Sequence, residues 1–229
     1  MTWLTNSFDR AWAFFALLPY NAKANRYVEQ TATSVRGPMK AWLDVAVKGL
    51  AEEAKIFEIG SGSGRDAEYL ERSGFKVTRS DAAAPFIERL RSQGHRCVKF
   101  NALSDTIPEE PTLVVANAVF CHFTIDQTTR ALHRYRDSLE PGCRVAFTVK
   151  SETARQRVPM NTRLGLPRYF SYWATADVFN VLQQCGLRPI VVEETSGSRD
   201  SDRWINVVAV VNGAAEACNE GGVQSRVSA

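Results

Sequence analysis

No apolar run in this chain of 229 residues approaches the roughly 18 that a membrane helix needs. Neither sign of charge dominates: 28 basic against 25 acidic residues leave a formal +3, too little to demand a polyanionic partner. The five cysteines, Cys97, Cys121, Cys143, Cys185 and Cys218, are widely spaced and form no C-x-x-C pair. Neither a disulfide framework nor a zinc site is signalled, and no metal is expected. They read as buried thiols kept reduced in a cytoplasm. Residues 11–18 could pass for a secretory core, but Asp9 balances Arg10 and no small-x-small site follows. They read as a helix face that docks on the domain, in a protein that is not exported. What the chain does have is a core: 45% apolar and 10% aromatic residues exclude disordered and low-complexity classes. At about 150 residues per domain, the length suits one domain with an accessory segment.

A joint of helix, glycine and apolar strand recurs at Gly74, Gly94, Gly142 and Gly186. Glycine tolerates the left-handed conformation that closes a helix, so each joint marks a helix end and a strand start. Strands are expected at 55–59, 75–80, 96–100, 112–117, 143–150, 188–194 and 204–211, and helices at 65–73, 85–93, 126–139 and 174–184. Residues 101–111, with two prolines, read as loop or short helix. Strand alternating with helix predicts a parallel sheet covered on both faces. Only the polar stretch 195–203 separates the last two strands, too short for the dozen or more residues of a parallel crossover, so the final strand should run antiparallel. Residues 212–229 shift to Asn, Gly, Ala, Glu and Ser and are expected to form a flexible tail.

The first strand runs into Gly60-Ser-Gly62-Ser-Gly64-Arg65, where a helix begins. Glycines at a strand-to-helix turn let a ligand approach the backbone and leave free amides at the helix start. A dinucleotide fingerprint would carry its third glycine where Arg65 stands, so pyrophosphate binding, and with it a nicotinamide dehydrogenase, is disfavoured. Asp81 follows 21 positions after Gly60, where a carboxylate can accept both hydroxyls of a ribose.

Glu58-Ile-Gly-Ser-Gly-Ser-Gly64, Asp81, Asn101-Ala-Leu103, Asn117-Ala-Val-Phe-Cys-His122 and Leu139-Glu-Pro-Gly142 together resemble the class I S-adenosylmethionine-dependent methyltransferases. The resemblance spans residues 51–211. Upstream, Tyr20-Asn-Ala-Lys-Ala24-Asn-Arg-Tyr27 resembles the Y-D-x-x-A-x-x-Y segment of the family's small-molecule members, with Asn21 in place of Asp. The implied fold is α/β, a Rossmann-like seven-stranded mixed sheet with an antiparallel seventh strand, helices on both faces and an N-terminal helical cap. The implied division is a cap or substrate lid at 1–50, a methyltransferase domain at 51–211 and a tail at 212–229.

For this chain the resemblance implies S-adenosyl-L-methionine as cofactor. Glu58 and Gly60, Ser61, Gly62 and Gly64 would form the turn around its methionine part, and Asp81 with Ala82 would take the ribose. Asn101, Ala102 and Leu103 would meet the adenine, and Asn117 and Ala118 would close the site from the fourth strand. Arg65 is a candidate partner for the cofactor carboxylate. Tyr20 and Tyr27 could face the sulfonium through cation–π contact, although hydrophobic packing explains them equally well.

Among three histidines, His95 and His133 read as surface residues, whereas His122 follows the fourth strand, where parallel sheets put their ligands. His122 is the candidate base or acceptor-orienting group. From Lys150 to Arg168, five basic residues face Glu152 alone, and Arg168, Tyr169, Tyr172 and Trp173 follow as candidate acceptor contacts. Arginines interleaved with aromatics suit a planar, anionic or heteroaromatic small molecule. The expected partner is therefore a small-molecule methyl acceptor, with no membrane, nucleic acid disfavoured and oligomeric state open. RNA methylation and non-catalytic cofactor binding remain the alternatives; the small net charge argues against the first.

Overall fold

Two of the glycine joints close their helices by the same double hydrogen bond. After α3 (Arg65–Arg72), Gly74 N donates to Glu71 O and Phe75 N to Leu70 O; after α4 (Ala84–Ser92), Gly94 N donates to Arg91 O and His95 N to Leu90 O. This Schellman arrangement satisfies the last carbonyls and turns the chain back toward the sheet. A computed structural model describes residues 2–108, 110–154, 157, 160–161, 164–197 and 202–213. Arg155, Pro159 and Arg163 of the expected basic loop, and all of the expected tail beyond Gly213, lie outside the described residues.

The strands are β1 (Lys55–Ile59), β2 (Lys76–Asp81), β3 (Cys97–Lys99), β4 (Leu113–Ala116), β5 (Arg144–Ser151), β6 (Met160–Asn161), β7 (Arg168–Tyr169), β8 (Tyr172–Trp173), β9 (Leu187–Ser196) and β10 (Arg203–Val211). Their order is β3-β2-β1-β4-β5-β10-β9, with β8 paired to the end of β5. Strands β1 to β5 are parallel, and β10 runs antiparallel to both β5 and β9, as the short connection requires. The sheet thus has eight strands where seven were expected. The addition is β8, two residues whose backbone joins β5 at Lys150 and Ser151, too short to leave a periodic signal in sequence. The expected basic loop likewise contains a small antiparallel ladder of β6 with β7.

Alternate residues of the central strands serve opposite faces. Phe57, Ile59, Val114, Ala116, Val145 and Phe147 pack under α5 (Ile125–Ser138) and α6 (Thr175–Gln184), while Ile56, Leu113, Val115 and Ala146 pack with Trp42, Leu43 and Ala46 of α2 (Gly37–Val47) and Leu70 of α3. Trp42 also ties α2 to the sheet through a 3.0 Å bond from Nε1 to Val207 O. The first 50 residues are therefore of two kinds. α2 covers a sheet face, whereas α1 (Thr2–Gln30) runs over the carboxyl ends of the strands and contacts α4 and β7. α1 bends at Lys23, whose φ of −134° leaves the helical range, and it carries Pro19 in its interior, where proline removes a helical hydrogen bond. No described helix is long and apolar enough to cross a membrane.

Candidate active site

Between β1 and α3 the chain turns on Gly60 (φ 71°), Gly62 (φ 52°) and Gly64 (φ 83°). A Cβ at Gly60 would stand 2.6 Å from Val119 Cγ2, and one at Gly64 2.7 Å from Leu90 Cδ2. Conformation and close approach both demand glycine there. The turn is pinned to β2: Ser61 N donates to Ser80 O at 2.8 Å, and Gly62 N donates to Asp81 Oδ2 at 2.9 Å. Asp81, the last residue of β2, also accepts Ala83 N at 2.8 Å through Oδ1. Burial pushes its pKa up, and the backbone donors of Ala83 and Gly62 oppose that shift. Each oxygen carries more lone pairs than this single bond uses, and the carboxylate borders a cavity.

That cavity is apolar along Ile59, Phe86, Phe100 and Ala102 and polar at Asp81 and Asn101. Asn101 Oδ1 accepts Leu103 N at 3.0 Å, which fixes the side chain and leaves its NH₂ as donor. An apolar cavity lined also by a carboxylate, an amide and bare glycine backbone suits an adenosyl group. Gly60, Gly62, Asp81, Ala82, Asn101, Ala102, Asn117 and Ala118 all line it, as do Tyr20, Tyr27 and His122. α1 supplies Ala13, Ala16 and Leu17 to the same wall, so the stretch 11–18, expected to dock on the domain within the cap, lines the cavity as well.

Beside this cavity opens a polar cleft bordered by Ser61, Arg65, Lys150, Arg168 and Tyr172. Arg65 is not a solvated helix opener: its side chain is 18% exposed and Nε donates to Asp66 Oδ1 at 2.7 Å. Asp66 Oδ2 accepts Asn117 Nδ2 at 2.6 Å, Asn117 Oδ1 accepts Thr148 Oγ1 at 2.9 Å, and Thr148 Oγ1 accepts Ala118 N at 2.8 Å. This chain of bonds holds Ala118 at φ 54°, a conformation that costs a residue with Cβ about 1–2 kcal/mol. Strain of that kind clusters at functional sites. Asp66 and Thr148 escaped the sequence reading, because an acid in a helix's first turn and a strand threonine are both ordinary.

Five expected contacts lie behind the walls. Gly64 shapes the turn from below, and Leu103 is buried in the core. Glu58 is buried beneath the turn, where desolvation, reinforced by Asp66, pushes its pKa up to about 8; its Oε2 has no hydrogen-bond partner. Tyr169 turns its ring to Trp12, 4.8 Å between centroids, and offers the site only its carbonyl. Trp173, expected at the acceptor, is fully buried in the core with Nε1 bonded to Ser171 Oγ. The β8–β5 pairing directs it inward.

His122 closes a short 3₁₀ turn after β4. Its Nδ1 lies 2.8 Å from Tyr169 O. A carbonyl only accepts, so Nδ1 carries the proton and Nε2 is left as acceptor for the Tyr20 hydroxyl, 2.8 Å away. Arg168 Nη1 approaches the same hydroxyl at 3.4 Å. Burial above all, then Arg168 and Lys150, push the His122 pKa down to about 4. The imidazole is therefore neutral at physiological pH, with a lone pair directed into the site.

Residues 57–145 match a family model described as a methyltransferase domain. No curated protein matches the sequence. In fold the chain is similar to a 1,6-didemethyltoxoflavin N1-methyltransferase from Burkholderia thailandensis, at TM-score 0.67 and 15% identity over 90% of each chain. It is similar also to a methyltransferase from Streptomyces caelestis, at TM-score 0.66 and 16% identity over 85% of this chain and 98% of that one. A magnesium protoporphyrin IX methyltransferase from Synechocystis follows at TM-score 0.59 and 15% identity, over 84% of each. Residues 57–145 thus match a methyltransferase domain, and the sheet order gives the chain the fold of the S-adenosylmethionine-dependent methyltransferases to which it is similar.

Proposed function

We propose that this enzyme transfers a methyl group to an oxygen or nitrogen of a small molecule seated in the polar cleft, with His122 as base. One observation carries the proposal: Tyr20, Tyr27, Gly60, Asn117, Ala118 and His122 border both the apolar cavity and the cleft. A donor in the first and an acceptor in the second would meet across those residues. The cofactor supplies a methyl group already activated on sulfur. The protein's main task is alignment, which can lower a barrier by about 7–11 kcal/mol.

Asp81 would hold the ribose, Asn101 the adenine edge, and Arg65 the cofactor's carboxylate across the helix start. Tyr20 and Tyr27 flank the place where the sulfonium would lie. His122 Nε2 would take the acceptor's proton, directly or through the Tyr20 hydroxyl; such a base contributes on the order of 10²- to 10⁴-fold. α1 would act as the lid, since it walls the cavity and bonds to His122 through Trp12 Nε1 at 2.9 Å as well as through Tyr20. The acceptors printed for the similar toxoflavin and porphyrin enzymes support a small-molecule substrate. A cytoplasmic location agrees with Cys97, Cys121, Cys143 and Cys185, all buried free thiols.

An acceptor screen with isotopically labelled methyl donor against metabolite extracts, read by mass spectrometry, tests the proposal. With the acceptor found, His122→Ala should lower turnover more than it lowers cofactor affinity. Equal turnover in the variant removes His122 from the chemistry.

A further inference from the structure

Besides glycines, two described residues have positive φ, Glu53 and Ala118. Glu53 lies in an exposed turn before β1. Ala118, at φ 54°, follows β4 and borders both the adenosyl cavity and the polar cleft. Residues with a Cβ rarely adopt this conformation, and alanine has no polar side chain to offset it by a local hydrogen bond. A neighbour has to hold it there, and strain kept in a site wall points to a use.

The neighbour is Thr148. Its Oγ1 accepts Ala118 N at 2.8 Å and donates to Asn117 Oδ1 at 2.9 Å. A hydroxyl has one proton, so accepting from Ala118 commits that proton to Asn117. The amide is thereby oriented with Nδ2 toward Asp66 Oδ2, 2.6 Å away. Thr148 itself is 2% exposed on β5, which runs between β4 and β10 in the middle of the sheet. The anchor is rigid, and what it holds governs two further parts of the site. Val119 Cγ2 comes so near Gly60 that a Cβ there would stand 2.6 Å away, so the turn after Ala118 packs directly on the glycine loop. Val119 O accepts His122 N at 3.0 Å, so the same turn carries His122. Relaxation of Ala118 to negative φ would redirect the chain on both sides of it.

Resting on the methyltransferase reading above, we propose that Thr148 is a positioning residue: its hydroxyl holds Ala118 in the left-handed conformation and so fixes the wall that the donor cavity and the acceptor cleft share. Thr148 acts through Ala118. Molecules in which Ala118 keeps φ near 54° are competent to bind the cofactor, and those in which it relaxes are not. Losing the hydroxyl therefore weakens the apparent affinity by the fraction of molecules that stay competent.

Titration calorimetry with S-adenosylhomocysteine on the full-length protein, paired with thermal melts, tests this in three variants. Thr148→Val keeps the shape and removes the hydroxyl. Its binding should weaken roughly five- to thirtyfold, the bias against the left-handed conformation at a residue with Cβ. Thr148→Ser restores the bond and should bind within about threefold of wild type. Thr148→Val combined with Ala118→Gly should also recover to within about threefold, because glycine takes positive φ about as readily as negative. A hydroxyl that only supports the fold would instead lower Tm in Thr148→Val at unchanged affinity. That result overturns the proposal, as does a loss of affinity that Thr148→Ser or Ala118→Gly fails to repair. Should Thr148→Val not fold, the double variant decides: near wild-type affinity is expected, and a loss of about tenfold or more overturns the assignment. Absence of heat with S-adenosylhomocysteine in the wild type would instead sink the methyltransferase reading, and this one with it.

Discussion

Replacing Asp81 by asparagine keeps the side chain's shape and removes its charge. In the native protein its two oxygens accept Ala83 N at 2.8 Å and Gly62 N at 2.9 Å. An amide has one oxygen, so one of these buried donors must face an NH₂ group, at a cost of about 1–3 kcal/mol in stability. For the ribose, a hydrogen bond to a charged acceptor contributes about 1.5–3 kcal/mol against about 0.5–1.5 for a neutral one. Losing that difference at two hydroxyls amounts to about 2–3 kcal/mol, a roughly 30- to 150-fold weaker Kd. Titration calorimetry with S-adenosylhomocysteine reads the affinity, and a thermal melt reads the stability. Burial raises the Asp81 pKa, so wild-type affinity should fall as pH drops through that raised value, and Asp81→Asn should lack this dependence. Affinity within about threefold of wild type, at unchanged Tm, would refute the ribose assignment.

Glu58 has a folded pKa of about 8 against 4.5 for the free side chain. The folded state therefore holds a proton that the unfolded state releases, and stability should fall as pH rises between those values. Glu58→Gln should flatten the dependence of Tm on pH across that window; an unchanged slope contradicts the buried, protonated carboxyl. Gly60→Ala should destabilise more than Gly74→Ala. Both positions have positive φ, at about 1–2 kcal/mol each, but only at Gly60 does the new Cβ meet a neighbour, Val119 Cγ2 at 2.6 Å, while Gly74 opens on space. Denaturant melts that rank them equally refute the close approach. Trp173→Ala should cost about 3–5 kcal/mol in stability, as for other buried tryptophans, whereas an acceptor-contacting Trp173 would instead change acceptor KM at constant Tm.

The sheet was legible because its punctuation is local. Gly74, Gly94, Gly142 and Gly186 all adopt positive φ, and a glycine that must do so writes itself into the sequence. The antiparallel β10 followed from a connection too short to cross over. Asp81 and the glycine turn were legible for the same reason, since spacing along one strand–turn–helix unit fixes them. What was not legible depends on contacts distant in sequence. Asp66 becomes a site residue only because Asn117, held in turn by Thr148 of β5, reaches it from the end of β4. Tyr20 and His122, 102 positions apart, form their pair only when α1 folds across the strand ends. Trp173 and Tyr172 are neighbours of equal aromatic character, and only the β8 pairing decides that one enters the core and the other faces the cleft.

The adenosyl cavity between the glycine turn and Asp81 is the claim on which catalysis, acceptor and lid all rest, and calorimetry of the purified wild-type protein with S-adenosylhomocysteine tests it most directly. A saturable, one-site heat with S-adenosylhomocysteine and none with NAD is the predicted result. No heat with S-adenosylhomocysteine, or equal binding of NAD, would contradict it.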